Sequence, residues 1–469
     1  MNQPPELPRP KPRRGAFPWR LTMVALAPAV LLVAAAAVLI TRYDRALRSE
    51  LDSMRAAREE VASELEAKGY PVTDALWEAR FPQPADTENG ALVYGKASAA
   101  MRALPPEQDL LVPYAGKLDP PDPGAPYPED ALSAMRAHLA ANEDALAIAD
   151  EAVGYSRNAF AQYGLDEERL SALYTAEALT TLLMLRIEIL SLDGNREAMP
   201  GALVSLHAAV QMLDESPEQI DAYVAMRMRR EFAGMVARVF SRYDPGEELL
   251  NLLAGLDWRI PAEEVYSNAV VSGAGRIVTP EESILLIALH DKRLILPFPK
   301  RYKARWAERI IEEYALYDFR FRQDVLALAG ETAAEAIPRY EALEQAFKAA
   351  VAEALILFNA PIRLDPVWEA RACDRMSEAA IAVERWRREN GMLPNSLESL
   401  VPDFFPAIPR DPYDGQPLRY RVEGAGYLLH CVGLNLADDG GATYTRRPQQ
   451  LEKGDVVLVV RLDLQTHDR

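Results

Sequence analysis

The sequence predicts a mainly α-helical membrane protein, with a transmembrane helix near the start, a large all-α body and a small C-terminal α+β module carrying a three-stranded antiparallel sheet. Three observations predict it. An uncharged apolar run extends from Leu21 to Ile40, Ala and Leu recur at helical spacing through most of the chain beyond it, and the last hundred or so residues turn to alternating, β-branched runs. At 469 residues, 49% hydrophobic and 26% charged, the chain has ordinary globular composition and is long enough for more than one core.

Residues 1–20 form a basic, Pro-rich tail in which Arg9, Lys11, Arg13, Arg14 and Arg20 face Glu6 alone. With the tail at +4 and the whole chain at −18, the rest of the chain carries −22. An acidic body of this size repels phosphate backbones, and no basic stripe interleaved with aromatics offsets it, so no nucleic-acid partner is expected.

Residues 21–40 are read as a transmembrane helix, because twenty uncharged residues at about 1.5 Å each cover about 30 Å of hydrocarbon. Trp19 and Tyr43 flank the run at interfacial depth. A cleavable signal peptide shares the basic start and the small residues Ala34–Ala37, but its apolar core is about 7–15 residues. Basic residues balance on the two sides of the run, and those downstream alternate with Asp44, Glu50, Asp52, Glu59 and Glu60. The expected placement is the inner (cytoplasmic) membrane, single-pass, with the tail inside and the C-terminal body extracytoplasmic.

Residues 41–103 are membrane-proximal helices. The first ends at Gly69 and Pro71, a normal stop. Leu47, Leu51, Met54, Val61 and Leu65 make a heptad seam interrupted by Arg58. Such a seam serves either a homodimer through residues 47–65 or packing on its own chain. A second helix covers TENGALVYGKASAAMRAL, with Asn89 or Thr87 as N-cap. Residues 104–129 hold eight prolines, which forbid regular helix and predict an extended loop or linker over the surface.

Residues 130–368 are the helical body. One helix is expected through ALSAMRAHLAANEDALAIADEAV, another through DEERLSALYTAEALTTLLMLRIEILSL, and a third through LVSLHAAVQMLDES after the break Asp193-Gly194-Asn195. So short a break makes an antiparallel hairpin. It resembles tetratricopeptide hairpins weakly, without their repeating period of about 34 residues. Further helices are expected at 217–243, 279–291, 300–327, 332–358 and 366–389. The segment 292–303, KRLILPFPKRYK, reads as a membrane-contact loop or as a solvated connection.

Residues 369–469 are the α+β module: a helix, CDRMSEAAIAVERWRRENGMLPNSLESL, and three strand-type runs, PLRYRVE, GYLLHCVG and DVVLVVRL. Glu389, Asn390, Gly391 and Pro394, then Ser396, Leu397, Leu400 and Pro402, then Pro409, Asp411, Pro412 and Gly415, then Tyr420 fall in one ordered run. With these residues the segment from about 375 to 469 resembles the C-terminal domain of the major pseudopilins of type II secretion. The N-terminus, RRGAFPWRLTMVALAPAV, lacks the peptidase-recognised segment and glutamate of that family, so the module reads as borrowed rather than as a pilus-assembly unit. The resemblance implies calcium in the loop after the second strand. There Asn435, Asp438 and Asp439 with Gly440 and Gly441, together with Asp455 at the last strand, offer hard oxygen ligands. An Asp-Asp-Gly-Gly turn that satisfies its own backbone is the alternative.

No phosphate loop, His-Glu-x-x-His, Gly-x-Ser-x-Gly or dinucleotide fingerprint occurs. The histidines are scattered at 138, 207, 290, 430 and 467, and His430, within a strand, reads as a packed ring. Cys373 and Cys431 are too few for a disulfide framework or a four-thiolate zinc site. They read as two buried thiols, or as a pair if the body is outside the cytoplasm. The expected role is a non-catalytic scaffold or protein-binding protein with an envelope protein partner. The alternatives are an accessory component of a secretion or pilus-like apparatus, and an extracytoplasmic hydrolase with a dispersed site.

Overall fold

A computed structural model describes residues 19–122, 125–155, 157–159, 167–216, 219–242, 244–256, 261–275, 300–350, 363–442 and 454–462, with residues 19–33 as backbone only. Most of the basic tail, the helix expected at 279–291 and residues 292–299 of the apolar-basic segment lie outside the described residues.

Helix α1 runs unbroken from Trp19 to Ala67, carrying the apolar run and the heptad seam on one rod. Among the described residues no helix is long and apolar enough to cross a membrane. The run Leu21–Ile40 lies in α1, but most of its side chains fall outside the described residues. Gly69 ends this segment at φ +87°, where an L side chain would be strained. Short α2 (Asp74–Arg80) comes next, capped by the Thr73 hydroxyl, and it seats the fully buried Trp77. In α3 (Gly90–Ala100) the expected cap is Asn89, whose side chain accepts from the Ala91 amide.

The body continues as α4 (Glu129–Ala141), α5 (Glu143–Glu151), α6 (Glu167–Leu192), α7 (Met199–Val210), α8 (Gln219–Arg242), α9 (Glu247–Ala254) and α10 (Ala262–Gly275). It closes with α11 (Lys300–Leu328), α12 (Ala333–Ala350) and α13 (Asp365–Asn390). The single helix expected from Ala131 onward is two helices, broken at Asn142. The Asn142 side-chain oxygen accepts from the Arg102 amide at 2.7 Å, and its NH2 donates to the Arg102 and His138 carbonyls. A distant backbone thus uses a side chain that helical spacing cannot distinguish from a surface residue. The Pro-rich segment is tied down as well as extended, since Val112 and Tyr127 are buried with Met135, Leu185 and Ile189 in a small cluster of their own.

Leu47, Leu51, Val61 and Leu65 are buried within this one chain, on a helix that packs along α11. Arg309 reaches Glu50, and Gln323 reaches Glu64, both across 259 residues of sequence. Arg55 reaches Glu312 and Glu308 of α11 across 257 and 253 residues, so the two helices run parallel. By these offsets Lys300, the first residue of α11, stands between the levels of Thr41 and Leu47, just past the apolar run.

The sheet has strand order β1 (Arg419–Glu423), β2 (Gly426–Cys431), β3 (Val456–Val460), antiparallel throughout. It is built onto the body. One hydrophobic core runs from Leu206 and Phe240 through Val383 to Tyr427 and Leu458, and α13 lies along α8. The Arg461 amide donates to the Ser241 hydroxyl, and Arg230 pairs with Glu369. Gly391 ends α13 in the left-handed conformation, φ +72°, and Tyr420 donates to the Pro394 carbonyl at 2.9 Å.

Candidate metal centre

Every residue of β2 is buried, although alternate residues of a strand point to opposite faces. Two covers explain it. On one side Tyr427 points toward α13, its hydroxyl near the Ala380 carbonyl. On the other, the chain after β2 folds back over Leu428 and His430. Gly441 is pressed so closely on Leu428 that a Cβ would come within 2.8 Å of its side chain, and its φ is +82°. The close approach and the dihedral both demand glycine there.

This return brings three polar side chains together. His430 sits mid-strand, opposite Arg419 on β1 and Val457 on β3. Its Nε2 lies 3.0 Å from Asp438 Oδ1 and 3.6 Å from Asp455 Oδ2. One ligand atom from each of the three residues falls within 4.8 Å of the others. His430 and Asp455 are buried, whereas the Asp438 side chain is half-exposed.

The two carboxylates are oriented from behind, whereas His430 Nδ1 is buried without a hydrogen-bond partner among the described residues. The Asp455 carboxylate accepts from the Asp439 amide at 3.2 Å and the Gly441 amide at 2.6 Å. Asp438 accepts from the Gly440 amide at 2.9 Å and from Arg419 Nε at 3.1 Å. The hydrogen bond with His430, then that from the Gly440 amide, holds the Asp438 carboxyl below the usual carboxylate range.

Arg419 also grips Asp411, at 2.7 Å, and Asp414. Asp411, from the Pro-x-Asp-Pro run, accepts from the Tyr413 and Val432 amides at 2.8 Å each, which pins its turn to the end of β2. Burial pushes its carboxyl up, and the two amides and Arg419 pull against that.

Of the four residues singled out in the sequence for metal binding, Asp438 and Asp455 converge. Asn435 and Asp439 do not join them: the Asn435 NH2 donates to Asp439 Oδ2 at 2.8 Å, so the two satisfy each other. An oxygen cage for calcium needs about six to eight donors, and this constellation offers one nitrogen and two carboxylates. The donor that sequence reading missed is His430. Its signal was faint, a polar residue in the apolar strand GYLLHC, and nothing local said which loop would cover it.

No protein-family model, curated protein or solved structure matches the chain.

Proposed function

We propose that the chain is a membrane-anchored scaffold that stands on α1 outside the cytoplasm and acts by binding an envelope protein rather than by catalysis. The observation that carries this reading is the register of α1 and α11. Where α11 begins, between the levels of Thr41 and Leu47, the apolar run has just ended, and Val38, Leu39, Ile40 and Tyr43 are exposed on α1. Large apolar side chains exposed in succession at the end of an uncharged helical run suit lipid far better than water. Below that level Leu47 and Leu51 are buried, so the anchor helix is also a core helix of the body.

The test has two arms. Membrane fractionation with protease protection should place the intact chain in the membrane pellet with the body cleavable from the periplasmic side. Recovery of the full chain in the cytosolic fraction would overturn the reading. Cross-linking followed by affinity purification from membranes should then recover one envelope protein reproducibly, and repeated recovery of none would remove the scaffold role.

A second reading, an accessory component of a type II secretion or pilus-like apparatus, draws on the contacts among the shared motif residues. Gly391 caps the helix, Tyr420 bonds Pro394, and Asp411 organises the turn before β1. Copurification with filament proteins separates it from the first reading.

A further inference from the structure

We propose that His430, Asp438 and Asp455 form a binding site for one divalent transition-metal ion of the zinc class. The site is independent of the scaffold reading, and its chemistry differs from an all-oxygen calcium loop.

The spacing comes first. An ion with bonds of about 2.0–2.2 Å holds neighbouring ligands roughly 3–3.5 Å apart. The His430 nitrogen is 3.0 Å from one carboxylate and 3.6 Å from the other, close to that spacing, and all three donors lie within 4.8 Å of one another. The donor class comes second. Imidazole with carboxylates suits zinc and its neighbours, whereas calcium is held by oxygen alone.

Both carboxylates have a supporting shell, and the backbone of the histidine is held by the sheet. His430 is fixed between two strands, Asp455 is held by two backbone amides, and Asp438 is held by Gly440 and Arg419. Such outer contacts orient the ligands of metal centres. The half-exposed Asp438 side chain opens the site to solvent, giving an ion its entry and water its remaining coordination positions. On binding, the proton between His430 Nε2 and Asp438 is displaced, moving to Nδ1 or, from a ring already protonated there, to solvent, and the hydrogen bond gives way to two bonds to the ion, one of them from the freed Nε2 lone pair.

The experiment uses the full chain in detergent, stripped with a chelator. Zinc is then added, and binding is read by equilibrium dialysis with elemental analysis and by thermal unfolding. A single zinc ion per chain and a raised unfolding temperature are expected. H430Q should weaken zinc binding by more than the roughly 10- to 100-fold that loss of an outer contact costs. D438N, at the half-exposed position, should do the same while unfolding at the wild-type temperature in chelator. Absence of stoichiometric zinc overturns the proposal, as does equal affinity in H430Q. Stabilisation by calcium that survives H430Q would overturn it in favour of an oxygen-liganded loop.

Discussion

Arg238 meets Glu188 through two hydrogen bonds, of 3.0 and 2.6 Å, at the centre of a buried cluster. Arg242 donates to the same carboxylate at 2.6 Å, the Tyr127 hydroxyl donates to it at 2.8 Å, and Arg238 also holds the Pro121 carbonyl. One glutamate on α6 thereby fastens the Pro-rich segment to α8. Glu188→Ala would leave two guanidinium groups buried without their counter-ion, a loss worth about 3–5 kcal/mol. The expected result is a lower unfolding temperature together with new protease cleavage within residues 104–129.

Acid should act on the same cluster. Burial pulls the Glu188 carboxyl up, but Arg238 and Arg242 outweigh it and hold the group below its ordinary value. A depressed carboxyl stabilises the fold above its unfolded-state pKa, and that stability is lost as the pH falls through the folded value. The difference in thermal midpoint between wild type and E188Q should therefore shrink as the pH is lowered through the carboxylate range. A constant difference would contradict this account.

Asp374 behaves in the opposite sense. Desolvation pushes its carboxyl up to about 6, against the attraction of Arg229. A raised carboxyl favours the folded state below its unfolded-state pKa, and the benefit disappears as the pH rises through about 6. At neutral pH the ionised group is a burden, so Asp374→Asn should stabilise the protein by about 1–3 kcal/mol. The gain should vanish in acid, and paired denaturation curves on either side of the transition would measure it.

The α1–α11 pairing should depend on its leucines far more than on its charges. Leu51→Ala removes a side chain that is 3% exposed and should cost about 2–5 kcal/mol. Glu50→Ala breaks the 3.0 Å bridge to Arg309 at a half-exposed position and should cost about 1 kcal/mol or less. Equal effects of the two substitutions in denaturant titrations would show that this interface is held by ion pairs.

Cys373 and Cys431 are both buried and both free thiols. Burial pushes each thiol up, away from the reactive thiolate. Neither should react with a thiol reagent until the protein unfolds, so labelling should follow global unfolding and involve both residues together.

Much of the architecture could be read from local chemistry, because caps and glycine dihedrals are local. Asn89, Gly69 and Gly391 end or begin helices where their side chains, or lack of one, dictate. The three strands follow from alternation and β-branching. The misses have long-range causes. Asn142 breaks a helix on behalf of Arg102, forty residues away. Helices α2, α9 and α10, of 7, 8 and 14 residues, carry weak or short periodic patterns. His430 joins Asp438 and Asp455 only through the return of the chain after β2 and the register that places Asp455 at the start of β3, and neither is encoded in the strand itself.

Because α1 is a single helix from Trp19 to Ala67, its apolar half and its leucine-bearing half share one rotational phase. Each alanine inserted just after Thr41 would swing the body by about 100° around the rod and raise it by about 1.5 Å. The compass bearing from which any neighbour must approach is thus written into the number of residues between Ile40 and Leu47.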